Sequence, residues 1–401
     1  MAERSTSEES SAKKMALVFL LPSLAGGGAE RVAAMLLPFL ARSFDLTLAL
    51  LDGRIAYAIP GDIRCMAFSK RIGGAITRLA TGPYFLFRLV RLVRKSGADA
   101  VLSFMEEANN INILASMITG HKAILSQRIV PHMQYAGKGV LGRLILSMSK
   151  RLYPKAAHVL AVSAQIRRSL LEDFGLDPGQ VTFVPNPVDV SSLQRRAAAP
   201  PSLPSLPFQR PYLLHVGRLR MSQKGQDIAI KAFSQMRERW PELLLVLAGE
   251  GPDRKRIEAM VDDLGLAGRV VLPGWLNDPA PLMARAEAFI LSSRYEGWPN
   301  VLLEAMACGC PVVACDCESG PREILGDSRY GALVPRDDPD ALARAVESIL
   351  EGGHSSRNLW QERGRKRAEE LSTEHIGPRY VKLVVASLNN HTLQQGGRHE
   401  I

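Results

Sequence analysis

The chain has 401 residues, 46% of them hydrophobic, which suffices for two domains of ordinary size, each with its own core. It contains no run of 18 uninterrupted apolar residues, and its polar segment 1–14 lacks the apolar centre of a secretory signal, so a cytoplasmic chain without a membrane span is expected. The net charge of +10 is lopsided: residues 1–200 hold 25 Lys and Arg against 14 Asp and Glu, whereas residues 201–401 hold 25 against 26. A basic half suits nucleic acid, an anionic lipid surface or a generic solvated face; aromatic residues at 6% and the lack of a base-stacking motif argue against nucleic acid.

Segment 1–14 reads as disordered, and Ala16 to Leu21 as the first strand. It runs into Gly26, Gly27 and Gly28 and then an apolar helix from Val32 to Leu40, so the backbone at the glycines can approach a ligand closely, just ahead of a helix start. The loop has neither dinucleotide-binding spacing nor the lysine of a nucleoside triphosphate loop. Leu46 to Leu50, Ala100 to Phe104, Ala123 to Ser126 and Val159 to Val162 read as further strands. Helical stretches lie between several of them, which predicts a parallel, doubly wound α/β sheet.

Two stretches read as basic amphipathic helices: Tyr84 to Lys95, with Arg88, Arg91 and Arg94 recurring every three residues, and Val140 to Leu152, with Arg143, Lys150 and Arg151. Each is either an ordinary surface helix with its apolar stripe on the sheet or a contact with an anionic membrane. The concentration of charge, 18 basic against 4 acidic residues over 54–168, favours the membrane. Between the two helices, Arg128 and His132 follow a predicted strand and so belong at the ligand edge of the sheet. Arg128 is suited to an acceptor phosphate and His132 to polarising a hydroxyl, although a plain surface histidine is the alternative.

The stretch from Ser191 to Pro211 is rich in proline, alanine and serine without a clear hydrophobic period, and reads as the linker. The second domain opens on the strand after Pro211, followed by Arg218 and Lys224 in a loop where two cations can hold a pyrophosphate. Leu243 to Ala248 is a strand leading into the glycine loop at Gly249, and Val270 to Trp275 another; Trp275 is either a core or a rim aromatic.

The most informative stretch is Ala288 to Cys315. Ala288 to Leu291 reads as a buried strand, Pro299 fits a first helical turn, Gly309 a left-handed terminator and Cys310 to Cys315 the next strand. The loop then lies at the carboxyl edge of a parallel sheet, with helix-start amides from Gly297 to Val301 forming a candidate anion site. Glu304 sits in an apolar, buried helix, so it is either a structural hydrogen-bond acceptor or a ligand group; Asn300 on the same face and Glu296 on the loop favour convergence on a polyhydroxylated ligand. The four clustered cysteines, Cys308, Cys310, Cys315 and Cys317, are spaced too closely for known structural zinc sites and read as buried or reduced thiols. Asp340 to Glu351 and Ile376 to Ser387 read as closing helices, and 389–401 as a disordered tail.

A glutamate, seven residues and a second glutamate, set in Tyr-Glu-Gly-Trp-Pro-Asn and Glu-Ala-Met-Ala-Cys-Gly, resemble the donor-site signature of the retaining family 4 glycosyltransferases, of the bacterial polysaccharide and lipid-linked oligosaccharide type. Arg218 and Lys224 are similar to that family's arginine and lysine pair. Gly27 to Arg31 matches its Gly-Gly-x-Glu-Arg loop, and Ser319 to Ile324 resembles a segment common in the same transferases. Where family members often carry Ser-Glu-Arg-Asn, this chain has Gln127 and Ile129 around Arg128.

The resemblance implies the GT-B architecture, two Rossmann-like domains facing a cleft, with boundaries placed at 15–190, 191–210 for the linker, 211–375, and a helix at 376–388 crossing back. It implies that Gly26, Gly27, Arg128 and His132 border the acceptor, and that Gly27, Gly28, Arg218, Lys224, Gly249, Trp275, Glu296, Gly297, Asn300, Val301 and Glu304 border the donor. Glu296, Arg218, Lys224 and His132 are the expected catalytic groups. Arg218, Lys224 and the helix-start amides stabilise the departing diphosphate, so no metal or other cofactor is expected. The implied reaction moves a hexose or N-acetylhexosamine, UDP-linked, to a lipid-linked or glycan acceptor with retention, by an enzyme peripheral on the inner face of the cell membrane. A nucleotide-sugar 2-epimerase of the same architecture and a non-catalytic nucleotide-sugar-binding protein are the alternatives.

Overall fold

The structure, a computed structural model, describes residues 14–69, 81–135, 139–201 and 210–389. Of the segments read as disordered, 1–14 and 389–401, all but Lys14 and Asn389 lie outside the described residues. Two sheets carry the fold. The first contains β1 (Ala16–Leu21), β2 (Asp45–Asp52), β3 (Arg64–Ser69), β4 (Ala100–Phe104), β5 (Lys122–Gln127), β6 (His158–Ala161) and β7 (Val181–Phe183), in the order β3-β2-β1-β4-β5-β6-β7. The second contains β8 (Tyr212–Val216), β9 (Leu244–Ala248), β10 (Val270–Gly274), β11 (Ala288–Leu291), β12 (Val312–Asp316) and β13 (Ala332–Pro335), in the order β10-β9-β8-β11-β12-β13.

Every strand pair of the second sheet is parallel, as are β1 with β2 and with β4. In both sheets the chain winds outward from the first strand, returns and winds the other way, which is the Rossmann-like pattern and creates a switch point beside β1 and beside β8. Strands such as Phe289-Ile290-Leu291 are apolar on both faces because helices cover both faces.

The chain divides into two compact units, Met1–Leu125 with Val381–Ile401, and Ser126–Tyr380. In the first unit, Phe85, Leu89, Leu92 and Val93 of helix Gly82–Ser96 pack with Val18, Leu20 and Ala49 in one core. In the second, Leu213, Leu245, Ile290 and Val313 of the sheet pack against Ile228 to Phe233 of helix Gln226–Met236.

The expected strand from Cys310 begins at Val312 instead. Gly309 is left-handed at φ 77°, and Pro311 has no N–H to give, so regular pairing starts two residues later than expected. The stretch read as a linker opens with a helix, Val190–Ala197. The Asp189 side chain caps it by accepting the Ser192 N–H at 2.9 Å, and Val190, Leu193 and Ala197 form its buried stripe. Residues 202–209 of that stretch lie outside the described residues.

All five cysteines are free thiols; Cys65 on β3 is exposed and the other four are buried. Burial pushes the Cys308 and Cys315 thiols up to about 12. Both basic amphipathic helices are present, as Gly82–Ser96 and Gly139–Leu152. Among the described residues no helix is long and apolar enough to cross a membrane.

Candidate active site

The site is built on loops at the carboxyl ends of β8, β9 and β11. β8 is followed by Gly217, whose N–H donates to the Ala248 carbonyl at 2.9 Å. A Cβ on Gly249, at φ 140°, would lie 2.0 Å from the Gly217 oxygen, so two bare backbones meet just beyond the ends of β8 and β9. Arg218 follows, exposed, with no ion pair among the described residues. The chain then forms a single helical turn, Met221–Lys224, stopped by Gly225 at φ 62°.

Lys224 is held from two sides. Its carbonyl accepts the Ser292 hydroxyl at 3.0 Å and the His215 Nε2–H at 3.3 Å. Burial, helped by the Lys224 charge, lowers the His215 imidazole to about 4, which keeps the ring neutral and leaves Nε2 as the donor. The Lys224 Nζ reaches the Glu296 Oε1 at 2.6 Å, and the same oxygen accepts the Ser293 hydroxyl at 2.6 Å. Glu296 is 7% exposed, so this ion pair is largely desolvated and its geometry fixed.

The Glu296 loop is anchored by Arg294. Its N–H donates to the Gln223 carbonyl at 2.8 Å and its guanidinium to the Met221 carbonyl; two nitrogens grip the Asp227 carboxylate at 2.8 and 2.7 Å, and Nε reaches Asp337 at 2.7 Å. Burial alone would push the Asp227 carboxyl up, but the bonds and charge of Arg294 outweigh it and hold that group below the usual carboxylate range. Beyond Glu296, a Cβ on Gly297 would lie 1.9 Å from the Arg128 carbonyl oxygen. Pro299, expected in the first turn, is instead the non-helical N-cap of helix Asn300–Ala307, which carries Glu304, buried at 7% exposure, while Val301 is half-buried.

Asn300 accepts the Asn186 amide at 2.7 Å, and Asn186 in turn accepts from the Arg128 guanidinium. Arg128, read from the sequence as suited to an acceptor phosphate, is therefore buried and linked through Asn186 to helix Asn300–Ala307, and burial lowers its guanidinium to about 10. His132 is half exposed, with its Nε2 3.5 Å from the Glu318 carboxylate. The neighbouring Ser319 hydroxyl bonds to the Gly297 carbonyl at 2.8 Å and to Ser163 at 2.7 Å. Trp275, at the end of β10, is 68% exposed and so is a rim aromatic.

In the other unit, Gly26 is at φ 112° and Gly27 precedes helix Gly28–Ser43. A Cβ on Gly27 would lie 2.0 Å from a Glu30 carboxylate oxygen, and the other oxygen accepts from Ser23 at 3.1 Å.

The structure thus joins Lys224 to Glu296, and Arg128 to Asn300. Arg294, Asn186 and Glu318 were missed in the sequence. Each is polar and unremarkable in composition, and only Arg294, two residues before Glu296, had a neighbour that could draw notice.

The sequence matches the family described as "Glycosyl transferases group 1" over residues 204–367 and "Glycosyltransferase Family 4" over residues 26–192. It is 30% identical over 369 residues to the N-acetylgalactosamine-N,N'-diacetylbacillosaminyl-diphospho-undecaprenol 4-alpha-N-acetylgalactosaminyltransferase of Campylobacter jejuni, covering 90% of this chain and 97% of that protein. The chain belongs to glycosyltransferase family 4. As a family 4 glycosyltransferase it is an enzyme, and its two Rossmann-like sheets are those of the GT-B fold. It is also 33% identical over 181 residues to the lipopolysaccharide core biosynthesis glycosyltransferase LpsE of Rhizobium meliloti, covering 45% of this chain and 51% of that one. Among solved structures, HepE of Anabaena in complex with UDP and glucose superposes with a TM-score of 0.74 at 20% identity, covering 93% of this glycosyltransferase and 100% of that chain.

Proposed function

We propose that this glycosyltransferase moves a hexose or N-acetylhexosamine from a UDP-linked donor to a lipid-linked or polysaccharide acceptor, with retention, at the cytoplasmic face of the membrane. The observation that carries this reading is the desolvated pair of Lys224 and Glu296, set where two strand ends of a parallel sheet leave backbone room for a ligand. Lys224 is then already in place to meet a β-phosphate, Arg218 adds a second cation, and the amides from Gly297 to Val301 complete the charge stabilisation of the departing diphosphate without a metal. Glu296 takes the hydroxyls of the transferred sugar and Glu304 the ribose, with Asn300 beside them and Gly249 leaving space for the phosphates. Trp275 offers an exposed face to the base.

On the acceptor side, His132 polarises the attacking hydroxyl. The bond between the anomeric carbon and the phosphate oxygen breaks as the acceptor oxygen arrives on the same face, and the hydroxyl proton leaves with the diphosphate. Gly26, Gly27 and Gly28 supply close backbone approach in the first unit. The relatives support the acceptor class: one carries a diphospho-undecaprenol substrate in its name and the other a lipopolysaccharide core.

Two surfaces support a peripheral membrane site. Phe87 is 60% exposed beside exposed Arg91, Arg94 and Lys95, and Val140, Leu144 and Met148 form an exposed stripe flanked by Arg143, Lys150 and Arg151.

Thermal stabilisation by UDP, GDP and a panel of nucleotide sugars, with and without magnesium, tests the donor. A metal-independent rise in Tm with UDP-linked ligands is the expected result. Replacing Glu296 by alanine should lower turnover by roughly 10²-fold or more while leaving the chain folded. Wild-type-like turnover of that variant would sink the assignment.

A further inference from the structure

Arg294 has no role in the chemistry described above, yet it makes the densest set of contacts around the site. Its own N–H and its guanidinium bond to the carbonyls of Gln223 and Met221, the residues one and three before Lys224. The fork on Asp227 fixes the helix that starts directly after Gly225, and the bond to Asp337 fixes the loop after β13. Asp337 itself stands at φ 60°, in the left-handed region that aspartate enters more readily than most non-glycine residues. The loops after β8 and β13 therefore converge on one planar cation whose own loop, after β11, carries Glu296.

We propose that Arg294 is a positioning residue for transfer: it clamps the turn carrying Lys224 to the loop carrying Glu296, and so sets the distance between ammonium and carboxylate that the donor meets. The proposal rests on the reading of Lys224 and Glu296 as donor ligands. A lysine at 294 keeps the charge but has no planar fork and cannot hold Asp227, Asp337 and the Met221 carbonyl together. The one-turn helix is too short to hold itself, since an isolated turn fixes many dihedrals for a single hydrogen bond.

The test uses the full chain as wild type, Arg294→Lys, Asp227→Asn, Lys224→Met and Arg294→Lys with Lys224→Met. Amide hydrogen exchange reads the clamp, and calorimetric titration with UDP and with GDP reads its effect on the donor site. In Arg294→Lys, exchange across residues 221–225 should rise by about tenfold while β8 and β9 stay protected. Asp227→Asn should move the same amides in the same direction. The diphosphate that binds the wild type should bind Arg294→Lys about tenfold more weakly, and the double variant should lose less than about twofold beyond Lys224→Met alone, because Arg294 acts through the lysine.

Unchanged exchange in both Arg294→Lys and Asp227→Asn overturns the clamp. Losses that multiply in the double variant also overturn it, since a residue with a general structural role is indifferent to Lys224. If Lys224→Met binds like wild type, or the wild type binds neither diphosphate, it is the donor reading that fails. The exchange data still decide whether Arg294 holds the turn.

Discussion

Gly225 shows how narrowly the Lys224 turn is specified. A Cβ there would lie 1.9 Å from the Ser292 carbonyl oxygen, and its φ of 62° is strained for any other residue. Gly225→Ala should therefore destabilise the protein by about 2–3 kcal/mol and weaken nucleoside diphosphate binding, measurable as a lowered urea midpoint and a raised Kd. A variant with unaltered stability would show that the turn yields more easily than its contacts suggest. The burial of Glu304 was legible because its flanking residues form a pattern within one stretch. The glycine's constraint was not, because the oxygen that forbids a side chain belongs to β11's exit, far away in sequence. Arg294 was invisible for the same reason: its carboxylate partners lie 67 and 43 positions away.

At the level of elements, apolar runs fixed the strands well where both ends were punctuated, as at Ala100–Phe104 and Ala288–Leu291. Helix Val190–Ala197 escaped because its three buried positions are diluted by the polar and proline-rich residues after it. The Asp189 cap was the available signal, and the helix end is tied down by Arg196 on Asp278 and by Arg285 donating to the Ala197 carbonyl at 3.1 Å. Asp189→Ala should cost about 1 kcal/mol and lower Tm by a few degrees in a scan of the full chain. A change below the scatter of the scan would mean that those two arginine contacts hold the helix without its cap. Helix Gly353–Glu370 has little apolar periodicity. It is held by Gly364 against Met306 and by buried Arg367, which donates to the carbonyls of Ile324 and Glu323 at 3.1 and 2.9 Å.

Across the whole molecule, acid should be the weak flank. Burial lowers His121, His158 and His215 from 6.5 to about 4, so on acidification the unfolded chain takes up protons before the folded one does. Stability is full above about pH 7 and is lost as pH falls from 6.5 towards 4, by on the order of 2 kcal/mol per histidine between pH 7 and pH 5. Asp227 adds to the loss at lower pH, whereas Glu323, raised by burial, opposes it. Urea melts at pH 7.5, 6 and 5 measure the slope, and a flat profile would contradict the buried, neutral state of these rings. The uneven charge and the amphipathic helices were readable at this scale from composition. The grouping of residues 126–380 into one unit was not, because it depends on pairs such as Ser163 with Ser319, 156 positions apart.

The distribution of thiols has a practical consequence. Cys65 sits on an edge strand in the open, while the other four cysteines are enclosed and hard to ionise. The native chain thus carries a ready attachment point for a single reporter, without removing or adding a cysteine. A maleimide dye should couple at one equivalent to the folded enzyme and at five after denaturation, putting a fluorophore on the β3 edge.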